Sequence, residues 1–202
     1  VGLKGSFITE WKRGRQVFSF DLRNLGDSFL SLWESVLTVY ALARSFGMAP
    51  KSILTKCSGF VPLAHRSQWV DEIKGVAFIN DSKATNVDAT IHALKTFKNV
   101  HLILGGRAKE DNFCQLQDSM KNISRIYLIG EAAALIASNF EGQEIEQFDT
   151  LNDAFDSAIS IATQGDTILF SPACASFDQY LNFEERGKHF ISLVQEYRKN
   201  II

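Results

Sequence analysis

The chain has 202 residues, 46% hydrophobic and 22% charged, the balance of an ordinary soluble globular protein. A net charge of -2 argues against non-specific nucleic-acid binding, which needs a strongly basic face. No apolar run approaches the roughly 20 residues needed to span a bilayer, so a membrane protein is not expected.

Three widely spaced cysteines, Cys57, Cys114 and Cys174, are odd in number and point to reduced thiols in a cytoplasmic protein rather than a disulfide framework. Val1-Gly-Leu-Lys4 lacks the apolar core of a signal peptide. These residues read as mid-domain sequence, and a fragment of a longer protein is expected.

In chain order, Ser6–Trp11 and Gln16–Asp21 are strand-like, with Lys12-Arg-Gly-Arg15 as a hairpin turn between them. Leu32, Val36, Val39, Tyr40 and Ala43 lie at helical spacing, which predicts a helix from Leu30 to Phe46, ended by Gly47. Pro50–Cys57 fits a short helix. A turn-rich connector, Ser58–Pro62, leads into Leu63-Ala-His-Arg66, and a domain boundary is expected there, giving units 1–62 and 63–202.

Beyond it the pattern becomes regular. Strand-like runs at Val76–Ile79, Val100–Leu104, Arg125–Ile129, Ile145–Phe148 and Thr167–Phe170 alternate with helix-like runs. The latter are Val87–Phe97, Phe113–Lys121, Ala132–Asn139, Leu151–Thr163 and Phe183–Lys199, with Thr150 and Asp153 resembling a capping box. This alternation predicts an α/β fold with a doubly wound, mostly parallel sheet. Ligands of such sheets sit outside the carboxyl ends of the strands.

Three of those ends carry chemistry: Asp81-Ser-Lys-Ala-Thr85, Gly105-Gly-Arg-Ala-Lys109 and Ser171-Pro-Ala-Cys-Ala-Ser-Phe177. Asp81 suits ribose hydroxyls or an amine, and Lys83 suits a phosphate or carboxylate. An Asx-turn and helix cap beside a solvated lysine explains the segment equally well. Gly105-Gly106 would let backbone approach a ligand, with Lys109 clamping a carboxylate, and a flexible turn with a surface lysine stands as the alternative. Ser176 offers a hydroxyl. Cys174 has no evident activating base and reads better as a small buried thiol than as a nucleophile. Arg66, beside His65, either bridges phosphates or pairs with a surface carboxylate. His65, His92, His101 and His189 show no metal-ligand spacing. Neither G-x-x-x-x-G-K-[ST] nor G-x-G-x-x-G occurs.

His65-Arg66, Asn80-Asp-Ser-Lys-Ala-Thr-Asn86, Leu104-Gly-Gly106 with Lys109, and Ser171-Pro-Ala-Cys-Ala-Ser176 with Asn182-Phe-Glu-x-Arg-Gly187 occur in one order. The series resembles the Mur ligases, in particular the branch that adds D-glutamate to UDP-MurNAc-L-alanine, which the D-S-K-A-T-N segment separates from the other branches. The resemblance covers Leu63 onward as a Rossmann-like, amino-acid-binding C-terminal domain. More weakly it covers Val1–Pro62 as the end of a central ATPase domain. It implies a bacterial, cytoplasmic, monomeric enzyme of peptidoglycan synthesis. That enzyme uses ATP and Mg2+ to convert a carboxylate into an acyl phosphate, which the amine of D-glutamate attacks.

By the same resemblance, Arg66 and Asp81 contact the nucleotide. Lys83, Thr85, Lys109, Ser176, Phe177 and Phe183 hold D-glutamate, with Lys83 and Lys109 catalytic.

Three departures stand out. The family's phosphate loop, carbamylated lysine and metal ligands have no counterpart here, so the chain alone is expected to be inactive. The family's adenine-contacting asparagines would fall near Leu32 and Ser35, in Leu30-Ser-Leu-Trp-Glu-Ser35, which does not match. Phe177 also replaces a common leucine. The main alternative is a non-catalytic Mur-like module that binds D-glutamate, nucleotide or a partner ligase. A folate polyglutamate-type ligase is the other.

Overall fold

A computed structural model describes residues 1–26, 29, 32–61, 63–140 and 142–201. The chain divides into two compact units, Val1–Pro62 and Leu63–Ile202.

The first unit begins with an antiparallel sheet of β1 (Gly2–Lys4), β2 (Phe7–Lys12) and β3 (Arg15–Asp21). The hairpin tip is formed by Arg13 and Gly14, both with positive φ, which matches a primed turn to the twist of the strands. β1 is too short to show periodicity in the sequence. Two helices follow, α1 (Trp33–Ser45) and α2 (Pro50–Cys57), the second opening with proline at its first position. The expected start of α1 at Leu30 lies outside the described residues. Ile8, Leu22, Phe29, Val36, Tyr40, Ile53 and Leu54 form the core. Glu10 receives Tyr40 Oη at 2.8 Å and a two-pronged Arg44 guanidinium at 2.8 Å on each oxygen. Hydrogen bonding from Arg44 holds its carboxyl down at about 2.

The second unit is a six-stranded sheet in the order β4-β5-β9-β6-β7-β8. Its strands are β4 (Gln68–Ile73), β5 (Val76–Asn80), β6 (Val100–Gly105), β7 (Ile123–Ile129), β8 (Ile145–Phe148) and β9 (Thr167–Phe170). All neighbours pair in parallel except β4, which runs antiparallel to β5 at one edge. β4 escapes the sequence reading because a bulge between Trp69 and Asp71 breaks its period of two.

The helices are α3 (Val87–Leu94), α4 (Ala133–Ala137), α5 (Leu151–Ile161) and α6 (Phe183–Ile201). α3 and α5 end earlier than their apolar patterns suggested, α4 is shorter at both ends, and α6 runs slightly longer. At the close of α3 the Lys95 and Thr96 N–H groups turn back to His92 and Ala93, so the chain leaves the α-helix before Phe97. Phe113–Asn122 is a 3-10 helix rather than an α-helix. Its buried residues, Phe113, Leu116 and Ser119, recur every three positions, which is the repeat of that tighter coil.

The central strands are apolar on both faces, as parallel strands covered by helices must be. Ile79, Leu102, Leu104, Ile126, Leu128 and Leu169 point into one layer with α3, α4 and Phe113–Asn122. Phe78, Ile103, Tyr127, Ile168 and Phe170 point into the other with α5 and α6. β6 and β9 are the adjacent pair from which the chain departs in opposite directions, toward β7 and toward α6 on β4 and β5. In a doubly wound sheet a ligand crevice is expected outside the carboxyl ends of such a pair.

Candidate functional site

The three polar loops meet at these strand ends. Arg107 and Ala175 form a two-way backbone bridge, each N–H donating to the other's carbonyl at 2.9 Å, so the loops after β6 and β9 are stitched together. The Asp81 N–H donates to the Phe170 carbonyl at 2.8 Å, which ties the loop after β5 to the end of β9.

The glycine pair serves this stitching rather than a ligand. Gly105 and Gly106 have φ near +130°, and a Cβ would lie 2.0 Å from the Ile129 oxygen at the first and 2.4 Å from the Ala175 oxygen at the second. Their N–H groups donate to Pro172 and Ile129 carbonyls. No backbone donor is left over at this pair for an anion, so the expected close approach of ligand is replaced by close approach of protein.

Asp81 is only 6% exposed. One carboxylate oxygen accepts the Ser67 N–H and the other the Ser171 hydroxyl, both at 2.8 Å. Burial outweighs these bonds and lifts the carboxyl to about 6. Each oxygen keeps a further lone pair, so Asp81 both organises the loops and retains acceptor capacity. Ser67, whose N–H makes that bond, sits at φ 40°, and His65 at φ 63°. Arg66 is held between them, with its side chain exposed and without a hydrogen bond among the described residues.

Lys83 is half-buried, its ammonium 3.9 Å above the centre of the Phe183 ring. This cation–π contact orients the charge without neutralising it. Lys109 is exposed and lies 3.5 Å from Thr85 Oγ1, too long to hold either group firmly. Asn86 caps α3 by accepting the Ala89 N–H at 2.9 Å, so the segment supplies a helix cap and a cation together. Ser176 is buried, and its hydroxyl makes no hydrogen bond among the described residues; Phe177 is 62% exposed. The fold thus pairs Lys83 with Phe183 and Lys109 with Thr85. It joins the Ser176 loop to the Lys109 loop by backbone alone.

Cys174 is fully buried and its thiol is pushed up to about 12 by desolvation, so it is no nucleophile.

Arg186 had no role in the sequence reading. It is 1% exposed, and its guanidinium reaches Ser82 Oγ at 3.1 Å and the carbonyls of Ser82 and Cys174 at 3.0 Å each. Nη1 is buried without a partner among the described residues. The guanidinium therefore clamps the loop after β5 to the loop after β9. One signal was available: Arg186 falls on the α6 stripe that continues with Phe190, Leu193 and Val194.

The family model for "Mur ligase, glutamate ligase domain" matches residues 65–174. The chain is 41% identical over 198 residues to the UDP-N-acetylmuramoylalanine--D-glutamate ligase of Dinoroseobacter shibae, covering 98% of this chain and 43% of that protein. Against the protein of the same name from Koribacter versatilis it is 42% identical over 165 residues, covering 81% of this chain and 36% of the relative. The chain thus spans well under half the length of these curated relatives.

Among solved structures, UDP-N-acetylmuramate-alanine ligase from Thermotoga maritima aligns with a TM-score of 0.63 at 16% identity, over 96% of this chain and 47% of that one. The bifunctional folylpolyglutamate synthase/dihydrofolate synthase of Yersinia pestis aligns at 0.56 and 17%, over 84% and 43%. At such identities these two show the fold alone. The family match covers more than half of the sequence, and its span takes in the loops after β5 and β6 and the first residues of the loop after β9. The chain belongs to the Mur ligase, glutamate ligase domain family.

Proposed function

We propose that this chain supplies the D-glutamate site and part of the nucleotide site of an ATP-dependent ligase that joins D-glutamate to UDP-MurNAc-L-alanine. The observation that supports this best is the placement of two ammonium groups, Lys83 and Lys109, without a carboxylate partner among the described residues, on loops that leave the same edge of the sheet. A dicarboxylate needs two anion sites, and these lysines with the hydroxyls of Thr85 and Ser176 offer them. Phe183 would fix Lys83 from below and Phe177 would cover the ligand from the solvent side. Arg66, exposed on a rigid turn, would meet nucleotide phosphates, and Asp81 the ribose.

ATP would supply the activation of the accepting carboxylate as an acyl phosphate. The work of this chain is then to hold the amine of D-glutamate in line with that carbon, and such positioning is worth up to roughly 7–11 kcal/mol in ideal cases. Among the described residues no group of three or more His, Cys, Asp or Glu side chains is placed to bind an ion.

The test is Lys109→Ala in the longer protein. The Michaelis constant for D-glutamate should rise at least tenfold, about 1.4 kcal/mol of lost binding. Unchanged ligation at subsaturating D-glutamate removes the carboxylate clamp.

A second reading, a non-catalytic module, is favoured by one observation. Where adenine-contacting asparagines are expected, Leu32 instead packs against the core of the first unit and Ser35 is exposed. D-glutamate-dependent phosphate release by the longer protein would decide against it.

A further inference from the structure

Asn80, the last residue of β5, is fully buried, and its amide has a single orientation. Oδ1 accepts the Ser82 N–H at 3.2 Å, while Nδ2 lies 3.1 Å from the Gly187 carbonyl oxygen, which can only accept. A flipped amide would set oxygen against oxygen at Gly187 and N–H against N–H at Ser82. The second Nδ2 hydrogen then meets His65 Nδ1 at 2.9 Å, the shorter of two remaining contacts, since Gln68 Oε1 lies at 3.4 Å. His65 Nδ1 must accept, so the imidazole is neutral and carries its proton on Nε2.

The rest of His65 is held just as closely. Its N–H donates to Gln68 Oε1 and its carbonyl accepts the Lys83 N–H, both at 2.9 Å. The ring stands edge-on to Phe183, with centroids 6.2 Å apart. It fills the space over Gly187, where a Cβ would lie 2.2 Å from Nδ1. Arg66 follows immediately in sequence, and Lys83 and Phe183 are bonded to or packed on His65 itself.

We propose that Asn80 is a positioning residue: by fixing the His65 ring in its neutral form it pins the Arg66 turn to the Lys83 loop, so the nucleotide-facing and D-glutamate-facing parts of the site share one anchor. The functional half of this rests on the roles given above to Arg66 and Lys83; the lock itself does not. The charged groups around the ring are Glu184 and Lys188 of α6, with opposing effects. Asp81 and Lys83 of the loop after β5 are held on Ser67 and Phe183 respectively. Burial is the dominant influence and keeps the imidazole below its ordinary value.

Long-range proton–nitrogen spectra of the 202-residue chain, labelled at histidine, test the lock directly. At pH 7 His65 should show a bare Nδ1 and a protonated Nε2. A proton on Nδ1, in either the neutral or the charged ring, overturns the proposal. Asn80→Asp replaces the donor by a carboxylate that would welcome an Nδ1 proton, and the His65 titration should move up by about 1–3 pH units. An unmoved titration also overturns it, and if that variant fails to fold, the tautomer of the wild-type ring decides alone. In the longer protein, Asn80→Asp should raise the Michaelis constants for ATP and D-glutamate together, each by roughly 2- to 13-fold, the worth of one net hydrogen bond. A change in only one constant refutes the shared anchor. A longer protein without ligase activity, but with the expected tautomer, refutes the functional reading and leaves the lock standing.

Discussion

Replacing Arg186 by Met tests whether the buried guanidinium holds the crevice together. Methionine keeps the length and most of the volume while removing every donor. Two buried carbonyls, of Ser82 and Cys174, then lose their 3.0 Å partners. Each buried acceptor left unsatisfied costs about 1–3 kcal/mol, roughly 2–6 together. Against this stands relief of the unpartnered Nη1 and of a cation whose pKa burial has drawn down to about 10, still charged at neutral pH. That relief is worth about 1–3 kcal/mol. The net loss should be about 2–3 kcal/mol.

Trp69 makes the assay specific. In a background with Trp11→Phe and Trp33→Phe it is the sole tryptophan and belongs to the unit that holds Arg186. Urea unfolding followed by its fluorescence should show a midpoint lowered by about 1–1.5 M at unchanged slope, taking a slope of about 2 kcal/mol/M. A Met variant as stable as the parent, or more so, would refute the reasoning. It would mean that the orphaned charge outweighs the clamp, as at some buried ion pairs.

Asp81 gives a pH dependence. Its carboxyl rises from 3.8 to about 6 on folding, so the folded state binds its proton more tightly. The burial penalty is absent below pH 4 and complete above pH 6, so stability falls as pH rises through that window, by up to about 3 kcal/mol. The difference between wild type and Asp81→Asn should trace this fall, and a flat difference from pH 4 to 7 rejects it. Thiol labelling at pH 8 should modify exposed Cys114 first and half-buried Cys57 more slowly; buried Cys174 should react only on unfolding. Mass spectrometry of tryptic peptides reads the order, and early labelling of Cys174 contradicts its burial. Gly187→Ala gains about 1 kcal/mol of helix propensity. It also forces a methyl within 2.2 Å of the His65 ring, an overlap costing about 1–3 kcal/mol plus the Asn80 bond. Thermal melting should show a net loss, and a stabilised variant would show that the ring is not locked.

Much of this protein is legible in one dimension because its signals are local. The central strands of the parallel sheet are apolar on both faces and bounded by turns, so each announces itself within a few residues. The capping residue Thr150 acts on an N–H group three positions away and is found doing so. The meeting of the three loops was legible too, because polar, small-residue loops that follow neighbouring parallel strands leave from one edge of a doubly wound sheet.

The rest required tertiary structure because it depends on pairs far apart in sequence. β4 is a strand only because β5 offers an edge to pair with, and its bulge hides the alternation. Gly105-Gly106 looks like a ligand-facing turn until Ile129 and Ala175 are seen to occupy the space a side chain would need. Asp81 reads as a ligand contact, yet its buried setting is made by Ser67 and Ser171. Asn80 and Arg186 bond partners about 100 residues away, so spacing could not reveal what they hold, although the α6 stripe placed Arg186 on the buried face. The sequence by itself determined which residues reach the crevice. Tertiary structure decided which of them keep an exposed charge, as Lys109 and Arg66 do, which is held on a ring, as Lys83 is on Phe183, and which are spent holding the walls together. The physical reason is that a buried polar group must find its partner wherever the fold brings one.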